Sequence, residues 1–583
     1  MRTHSRRSSE LGRREAWLTA GALFLVALAV RAVAAAAIPF PVPEDTAYYV
    51  AVARNLVEGH GLISDALWSY QTPPLVVPRA AFEVWLPLPT LLAAVPMALL
   101  GPTFRAAQVA AVLVGALVPV LAWRLAADVA GERGLPAGRA RTVALGTGLV
   151  ATAYGPLVVH GALPDSTMPF TALALTACLL MARILRDPRG ATRAGTHGDA
   201  RGEGARAGTI RDPRLLGLGA VLGLAALARD EALWVALTWA ALAWFGAGTL
   251  DRRARARLIA IPAAISIAIY LPWMVRDWLA FGSPMPGQAL ANALSVTGFD
   301  IFAWQDRPTL ARYLAQGLGG LVGARVDGFT HNLFDVLLVP AIPAGPIGLV
   351  ALPWQRRGGA LRPLLVLSVI TFTAATLLFP IATTWGTFLH AAGPVQVLLL
   401  VSCMLALDAL LVRIGRLRGW TRPGAWLGPV LVAATAVPVL AISVASIAGV
   451  GRDVQARYEA LAERLTATGL PPATAAPIVA DFPIWIAWSM GVPTLGLPDE
   501  SPASVLDLAH HFDAHMLVVT GTHGIWPGVL AAGGADADCF VPIDLAGAGN
   551  TSAPASTPAA PTAPGTSTDP LAGTHAYRIV CGP

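Results

Sequence analysis

Lysine is missing from this chain altogether: every one of the 41 residues counted as Lys or Arg is arginine. Charge of either sign is scarce, at 13% of residues against 55% hydrophobic, and the mean hydropathy is +0.60. A soluble domain carries roughly 25% charged residues, so water is not this chain's main solvent. Cysteine is limited to four, and neither a Cys-x-x-Cys nor a His-Glu-x-x-His pattern occurs, which removes the site classes built on those spacings. The net charge of +6 lies in short loops between apolar runs, not beside aromatics on a soluble module, and this excludes nucleic acid as the expected partner. With its abundant Ala and Gly, the all-arginine usage suggests a GC-rich bacterial genome.

What is abundant is long apolar sequence. Runs long enough to span a bilayer, or nearly so, fall at 16–37, 106–126, 142–160, 166–185, 215–229, 232–249, 258–275, 333–353, 363–380, 391–412 and 425–450, about eleven spans in all. Alternating from a cytoplasmic N-terminus at 1–15, the inside segments hold 28 of the 41 arginines. That satisfies the positive-inside rule at every cytoplasmic loop. The stretch Val84 to Gly101 carries Pro87, Pro89 and Pro96 and reads as a juxtamembrane or re-entrant helix in the first outer loop. The first run ends in Ala-rich sequence like a signal-peptidase site, but Arg31 interrupts it, so it reads as a retained anchor.

The expected architecture is mainly α: a polytopic bundle over 16–450 with outer loops at 38–105 and 276–332, followed by an extracytoplasmic α/β domain over 451–583. In that domain short β runs are expected at Pro477–Ala480, Thr494–Leu497, Met516–Thr520, Phe540–Ile543 and Tyr577–Val580, with a disordered insertion at 546–574. The Gly/Arg-rich loop 187–213 is expected to be cytoplasmic and mobile. Cys178 and Cys403 lie in apolar runs and read as small buried hydrophobes, whereas Cys539 and Cys581, on adjacent strands in oxidising surroundings, are expected to form a disulfide. The histidines of His510-His511-Phe512-Asp513-Ala514-His515 fall on an ordinary exposed helix end.

Chemistry must come from polar residues at the outer ends of spans. The strongest cluster is Pro43-Glu44-Asp45-Thr46-Ala47-Tyr48-Tyr49, which continues from Asn55 to Gly61 as Asn-Leu-Val-Glu-Gly-His-Gly. Adjacent carboxylates beside an apolar span are costly unless solvated, paired or used, although Glu44 and Asp45 also suit a helix N-terminus. This segment resembles the acidic pair and aromatic helix after the first span in GT-C membrane glycosyltransferases, in the branch of protein mannosyltransferases and aminoarabinose transferases. Similar in order and placement are Phe82 to Pro89, His160-Gly161-Ala162-Leu163-Pro164-Asp165, Leu227-Ala228-Arg229-Asp230-Glu231, Tyr270 to Asp277 with Phe281-Gly282-Ser283-Pro284, and Gly386-Thr387-Phe388-Leu389-His390. Glu44 stands where the family usually has Asp, which makes Asp45 the better base, and Asp277 replaces the usual Asn.

The resemblance implies an inverting transfer of a sugar from a polyprenyl-phosphate carrier to an acceptor hydroxyl on the outer face of an inner, or plasma, membrane. Asp45 is the candidate general base, with Glu44 beside it. Arg229 and Arg276, and less so Arg31, are candidate cations for the departing phosphate, with snorkelling anchors as the alternative. Asp165 either shares a divalent ion such as Mg or Mn with Asp45, positions the acceptor, or caps a helix. His390 either contacts phosphate or is an interfacial histidine. The rival class is a transporter or flippase of envelope precursors, which predicts inverted repeats and polar residues at mid-span. No convincing repeat is found, and the polar residues sit at span ends.

Overall fold

The computed structural model describes residues 2–188, 212–248, 250–355, 359–545 and 569–581, with side chains from residue 14 onward. Most of the 187–213 loop and of the 546–574 insertion lies outside the described residues.

The molecule is mainly helical, and six of its described helices are long and apolar enough to cross a membrane: Arg14–Ala37, Phe104–Glu132, Thr167–Arg186, Arg252–Phe281, Gly393–Leu417 and Leu427–Ala467. Shorter apolar helices cover Leu88–Leu100, Pro213–Ala226, Ala232–Gly246 and Arg362–Leu378. Other apolar runs are helical but interrupted. The 142–160 run breaks at Ala153 and Tyr154, where Tyr154 is extended, and resumes at Gly155 with Pro156 in the first turn, where its missing amide costs no hydrogen bond. The 333–353 run breaks around Pro340 and Pro343 into a π-helical turn, His331–Leu338, and the helix Ala344–Gln355.

Helix starts follow local chemistry. The Asp251 carboxylate accepts from the Ala254 amide at 2.7 Å and Thr103 accepts from Ala106 at 3.2 Å, each satisfying an orphan donor of a first turn. The last helix, Leu427–Ala467, has 41 residues and so runs about 60 Å. It therefore continues well past the apolar bundle, and its far end, with Tyr458, Leu461 and Leu465 buried, packs against the C-terminal sheet.

The strands are β1 Ile63–Ser64, β2 Ala66–Leu67, β3 Arg79–Ala80, β4 Ile478–Ala480, β5 Thr494–Gly496, β6 Met516–Thr520, β7 Phe540–Ile543 and β8 Thr574–Ile579. β1 pairs with β3, and the remaining six form one sheet in the order β2-β5-β4-β6-β8-β7, parallel from β2 to β6 and antiparallel beyond. β4, β5 and β6 are buried along their whole length, as strands covered on both faces must be. β8 begins earlier than its apolar tail suggests, since polar Thr574 and His575 also pair with β6.

The C-terminal sheet is not built from the C-terminal segment alone. β2 comes from the 38–105 loop and sets Ala66 opposite Thr494 and Leu67 opposite Leu495. The 276–332 loop docks on the same unit, with the amides of Trp304, Gln305 and Asp306 donating to the Glu500 carboxylate at 2.8–3.0 Å. Both loops that frame the polar cluster are thus clamped to the sheet.

Cys539 and Cys581 are joined in a disulfide across the start of β7 and the chain after β8, and Cys178 and Cys403 are buried free thiols. At a sequence separation of 42, the two cysteines close a loop whose release would cost about 3–4 kcal/mol in chain entropy. Non-reduced peptide mapping should recover the two as one linked pair, and C539A with C581A should lower the thermal stability of the C-terminal unit. Free thiols at both positions would exclude the cross-link.

Candidate active site

The helix Glu44–Val57 begins with its two carboxylates in the first turn, where the partial positive charge of a helix N-terminus favours them. The two side chains diverge. Glu44 turns toward the C-terminal unit, where its Oε1 accepts from the Ile484 amide at 3.0 Å. Asp45 turns toward the bundle, where its Oδ2 lies 3.1 Å from His390 Nε2.

His390 follows a tight corner at Gly386, whose φ of 113° is open to glycine and strained for other residues, and whose missing Cβ would lie 3.6 Å from the His390 ring. On its other nitrogen, Nδ1, His390 meets Thr167 Oγ1 at 2.7 Å. Thr167 Oγ1 in turn lies 3.3 Å from His160 Nδ1, which is 2.7 Å from Asp165 Oδ2, while Asp165 Oδ1 accepts from the Thr167 amide at 2.8 Å. One proton assignment satisfies every contact. His160 Nδ1–H donates to Asp165, the Thr167 hydroxyl donates to His390 Nδ1, and His390 Nε2–H donates to Asp45. Neutral His390 therefore holds the Asp45 carboxylate by its Oδ2. Burial disfavours the Asp165 carboxylate, but the adjacent His160 and His390 and the Thr167 amide hold it below the usual range.

Arg229 stands on the far side of this cluster. It donates from Nε and Nη2 to both Glu231 oxygens at 2.9 and 2.8 Å, and from Nη1 to Ser166 Oγ at 2.7 Å. It lines a cavity of about 250 Å³ together with Tyr49, one turn after Asp45, and Thr387, just before His390. The remaining wall is largely apolar and aromatic, including Trp85, Leu233, Trp234 and Phe379. Trp85 is fixed there by Tyr48 and Trp68, with ring centroids 4.5 and 4.4 Å away.

The other candidate cations lie elsewhere. Arg276 donates to Asp277 at 2.9 Å, sits over the Trp273 and Phe281 rings, and lines a separate shallow pocket with Leu62 and Pro272. Arg31 is fully buried in the bundle and donates to the carbonyls of Ala27 and Leu157. The chain approaches it closely at Gly161, where an added Cβ would lie 2.6 Å from Arg31 Nε.

Metal-ligating groups converge at His160, Asp165 and His390, whose ligand atoms lie within 4.8 Å of one another. Asp45 and Asp165 do not face each other directly, because the His390 ring stands between them, 3.1 Å from one and 3.9 Å from the other. Two imidazoles and one carboxylate suit a transition ion such as Zn and fit Mg or Mn less well, since those ions favour oxygen ligands. Each of the three side chains is also already satisfied by a protein hydrogen bond. The residues therefore do not fit the Mg site that two shared carboxylates would make.

His160, Ser166, Thr167 and Glu231 carry this geometry without being named for a role by sequence reasoning. The available signal for His160 and Glu231 was their position inside the two quoted motifs, His160 to Asp165 and Leu227 to Glu231, whereas Ser166 and Thr167 lie just beyond the first.

Glu44 makes the junction with the C-terminal unit sensitive to pH. It is only partly covered by surface area, yet dense protein surroundings push its carboxyl up to about 8, with Asp481 and Asp45 adding and the Ile484 amide opposing. Asp481, which accepts from the Thr520 amide and hydroxyl, is raised to about 6, mainly by burial. A raised carboxyl contributes stability that is fully present below its unfolded value near 4.5 and is lost as pH climbs to about 8. Stability of the folded chain should therefore fall between those limits, and Glu44→Gln should flatten the slope. An unchanged slope in urea melts of Glu44→Gln would contradict this role.

No protein-family model matches the sequence, and no curated protein matches it. Solved structures that resemble it include ArnT from Cupriavidus metallidurans bound to undecaprenyl phosphate, at 14% identity over 96% of this chain and 98% of that one, with a TM-score of 0.50. The same protein in the apo state matches at 15% identity, 97% and 98% coverage and a TM-score of 0.47. The archaeal oligosaccharyltransferase AglB from Archaeoglobus fulgidus, in complex with an inhibitory peptide and a dolichol-phosphate, matches at 12% identity, 85% and 69% coverage and a TM-score of 0.48. At such identities the likeness shows the fold alone: this chain has the fold of ArnT bound to undecaprenyl phosphate.

Proposed function

We propose that the protein is an integral membrane glycosyltransferase that moves a sugar from a polyprenyl-phosphate carrier to an acceptor hydroxyl on the outer face of the membrane. The observation that carries this reading is the Asp45–His390 pair at 3.1 Å beside a cavity that Arg229 lines. An acceptor hydroxyl is a weak nucleophile at neutral pH and needs a carboxylate to take its proton as it attacks the anomeric carbon. Asp45, held at Oδ2 by His390 and at Oδ1 by the Thr46 amide at 2.8 Å, offers the remaining lone pairs of its carboxylate for that task. The bond from the anomeric carbon to the carrier phosphate breaks in the same step, and the phosphate leaves with the bonding pair. Attack opposite the leaving group inverts the sugar carbon.

Negative charge then grows on the carrier phosphate. Arg229 is the cation lining the cavity, and sharing it between Glu231 and the phosphate stabilises the leaving group. Asp230 and Glu231 beside it keep this wall from holding the released anion too tightly. Burial, with Glu231 adding, pushes the Asp230 carboxyl up to about 6. The aromatic and aliphatic wall suits a prenyl chain entering from the bilayer. Glu44 and Asp481 serve the C-terminal unit, which clamps the two loops over the cavity and is the candidate for acceptor binding.

The topology that places this chemistry outside is the eleven-span count with a cytoplasmic N-terminus. A cysteine placed by Arg416→Cys should be shielded from an impermeant thiol reagent in intact cells, while one placed by His515→Cys should react. Equal labelling of the two would overturn it. The reaction itself is tested by deleting the gene and comparing lipid-linked sugars with envelope glycans. Accumulation of one lipid-linked sugar and loss of the matching glycan residue is expected, and no change in either would refute the reading.

A further inference from the structure

A second cavity, of about 460 Å³, opens between the helices Arg14–Ala37, Leu117–Glu132 and Thr167–Arg186. It lies at the end of the bundle remote from Asp45, since Thr167 and Arg183 on one helix are about 24 Å apart along its axis. Its wall is apolar, with Trp17, Leu121, Leu179 and Leu180, and its polar side chains include two arginines, Arg124 and Arg183. Arg124 has one carboxylate partner, Asp128 at 2.9 Å, and its Nε is buried without a hydrogen bond. Arg183 is exposed and has no carboxylate partner among the described residues. Among the described residues the cavity therefore pairs unneutralised positive charge with a hydrocarbon-like wall.

The geometry points to a bound anionic phospholipid, its phosphate between Arg124 and Arg183 and an acyl chain against the apolar wall. Charge complementarity selects this occupant. The proposed topology makes this the cytoplasmic end, where anionic lipids gather and basic pockets between spanning helices hold their headgroups. A zwitterionic lipid would leave one guanidinium charge uncompensated. The carrier phosphate at the Asp45 cluster is too far away to serve both places, so this site is independent of the transfer chemistry.

The test is native mass spectrometry of the full chain with equimolar phosphatidylglycerol and phosphatidylcholine of matched acyl chains. Wild type should retain one phosphatidylglycerol with about tenfold preference. Arg183→Gln should reduce that to about twofold or less, Arg183→Lys should keep most of it, and Arg416→Gln, whose arginine does not line the cavity, should leave it unchanged. Equal retention of both lipids by wild type, or an undiminished preference in Arg183→Gln, would overturn the assignment. So would displacement of the phosphatidylglycerol by equimolar polyprenyl phosphate, which would give the cavity to the carrier.

Discussion

Replacing Asp45 with asparagine is expected to lower sugar transfer by roughly a hundredfold or more while the protein folds and binds its donor normally. Asparagine has nearly the size of aspartate, and its amide oxygen still accepts from His390 Nε2. Basicity is what it lacks. If Asp45 takes the proton of the acceptor hydroxyl, the loss falls on the chemical step, so kcat drops and KM changes little. Glu44→Gln at the neighbouring position should do much less to the rate, because Glu44 faces the Ile484 amide and the C-terminal unit. An inactive Glu44→Gln beside an unimpaired Asp45→Asn would reverse the two roles. Full activity in both would reduce the pair to caps of the helix Glu44–Val57.

The second large effect is expected at His390, a positioning residue. Its two ring nitrogens bridge Asp45 and Thr167 at 3.1 and 2.7 Å, so it fixes which way the base points. Gln at this position can donate to Asp45 but cannot also accept from Thr167 at the opposite side of a rigid ring. We expect kcat to fall roughly 10- to 100-fold in His390→Gln, with KM nearly unchanged and the acid limb of the rate profile shifted. A merely structural role would lower the melting temperature and leave the profile of the surviving fraction unmoved. That result would remove His390 from the mechanism.

Much of the fold was legible because hydropathy and β-branched runs are local signals. Each of the long helices covers most of its expected apolar run, although Leu427–Ala467 continues well beyond residue 450, and strands β4 to β7 fall within a residue of their expected positions, since each is specified by its own apolar residues. β2 was not legible. Two residues cannot show a period of two, and Ala66–Leu67 becomes a strand only because β5 offers an open edge. The site divides in the same way. Asp45, Asp165, Arg229 and His390 stood out as polar groups beside apolar runs, and the fold gathers them. The opposite directions of Glu44 and Asp45 follow from where the C-terminal unit docks, which neighbouring positions in the chain do not encode. Thr167 bridges two histidines 230 positions apart in the chain, His160 and His390, and nothing local marks a threonine at a span end for that task.

The central claim is bond cleavage at the carrier phosphate, and the direct measurement follows the carrier. Purified wild type and Asp45→Asn would be reconstituted in liposomes with lipid-linked sugars extracted from the deletion strain and with the envelope acceptor fraction. Mass spectrometry would then quantify intact lipid-linked sugar, free polyprenyl phosphate and glycosylated acceptor. The account predicts that wild type releases polyprenyl phosphate in step with new acceptor glycoside, and that Asp45→Asn does so at about one hundredth of that rate or less. Movement of intact lipid-linked sugar between leaflets with no release of polyprenyl phosphate, at equal rates in both proteins, would contradict it and identify a flippase instead.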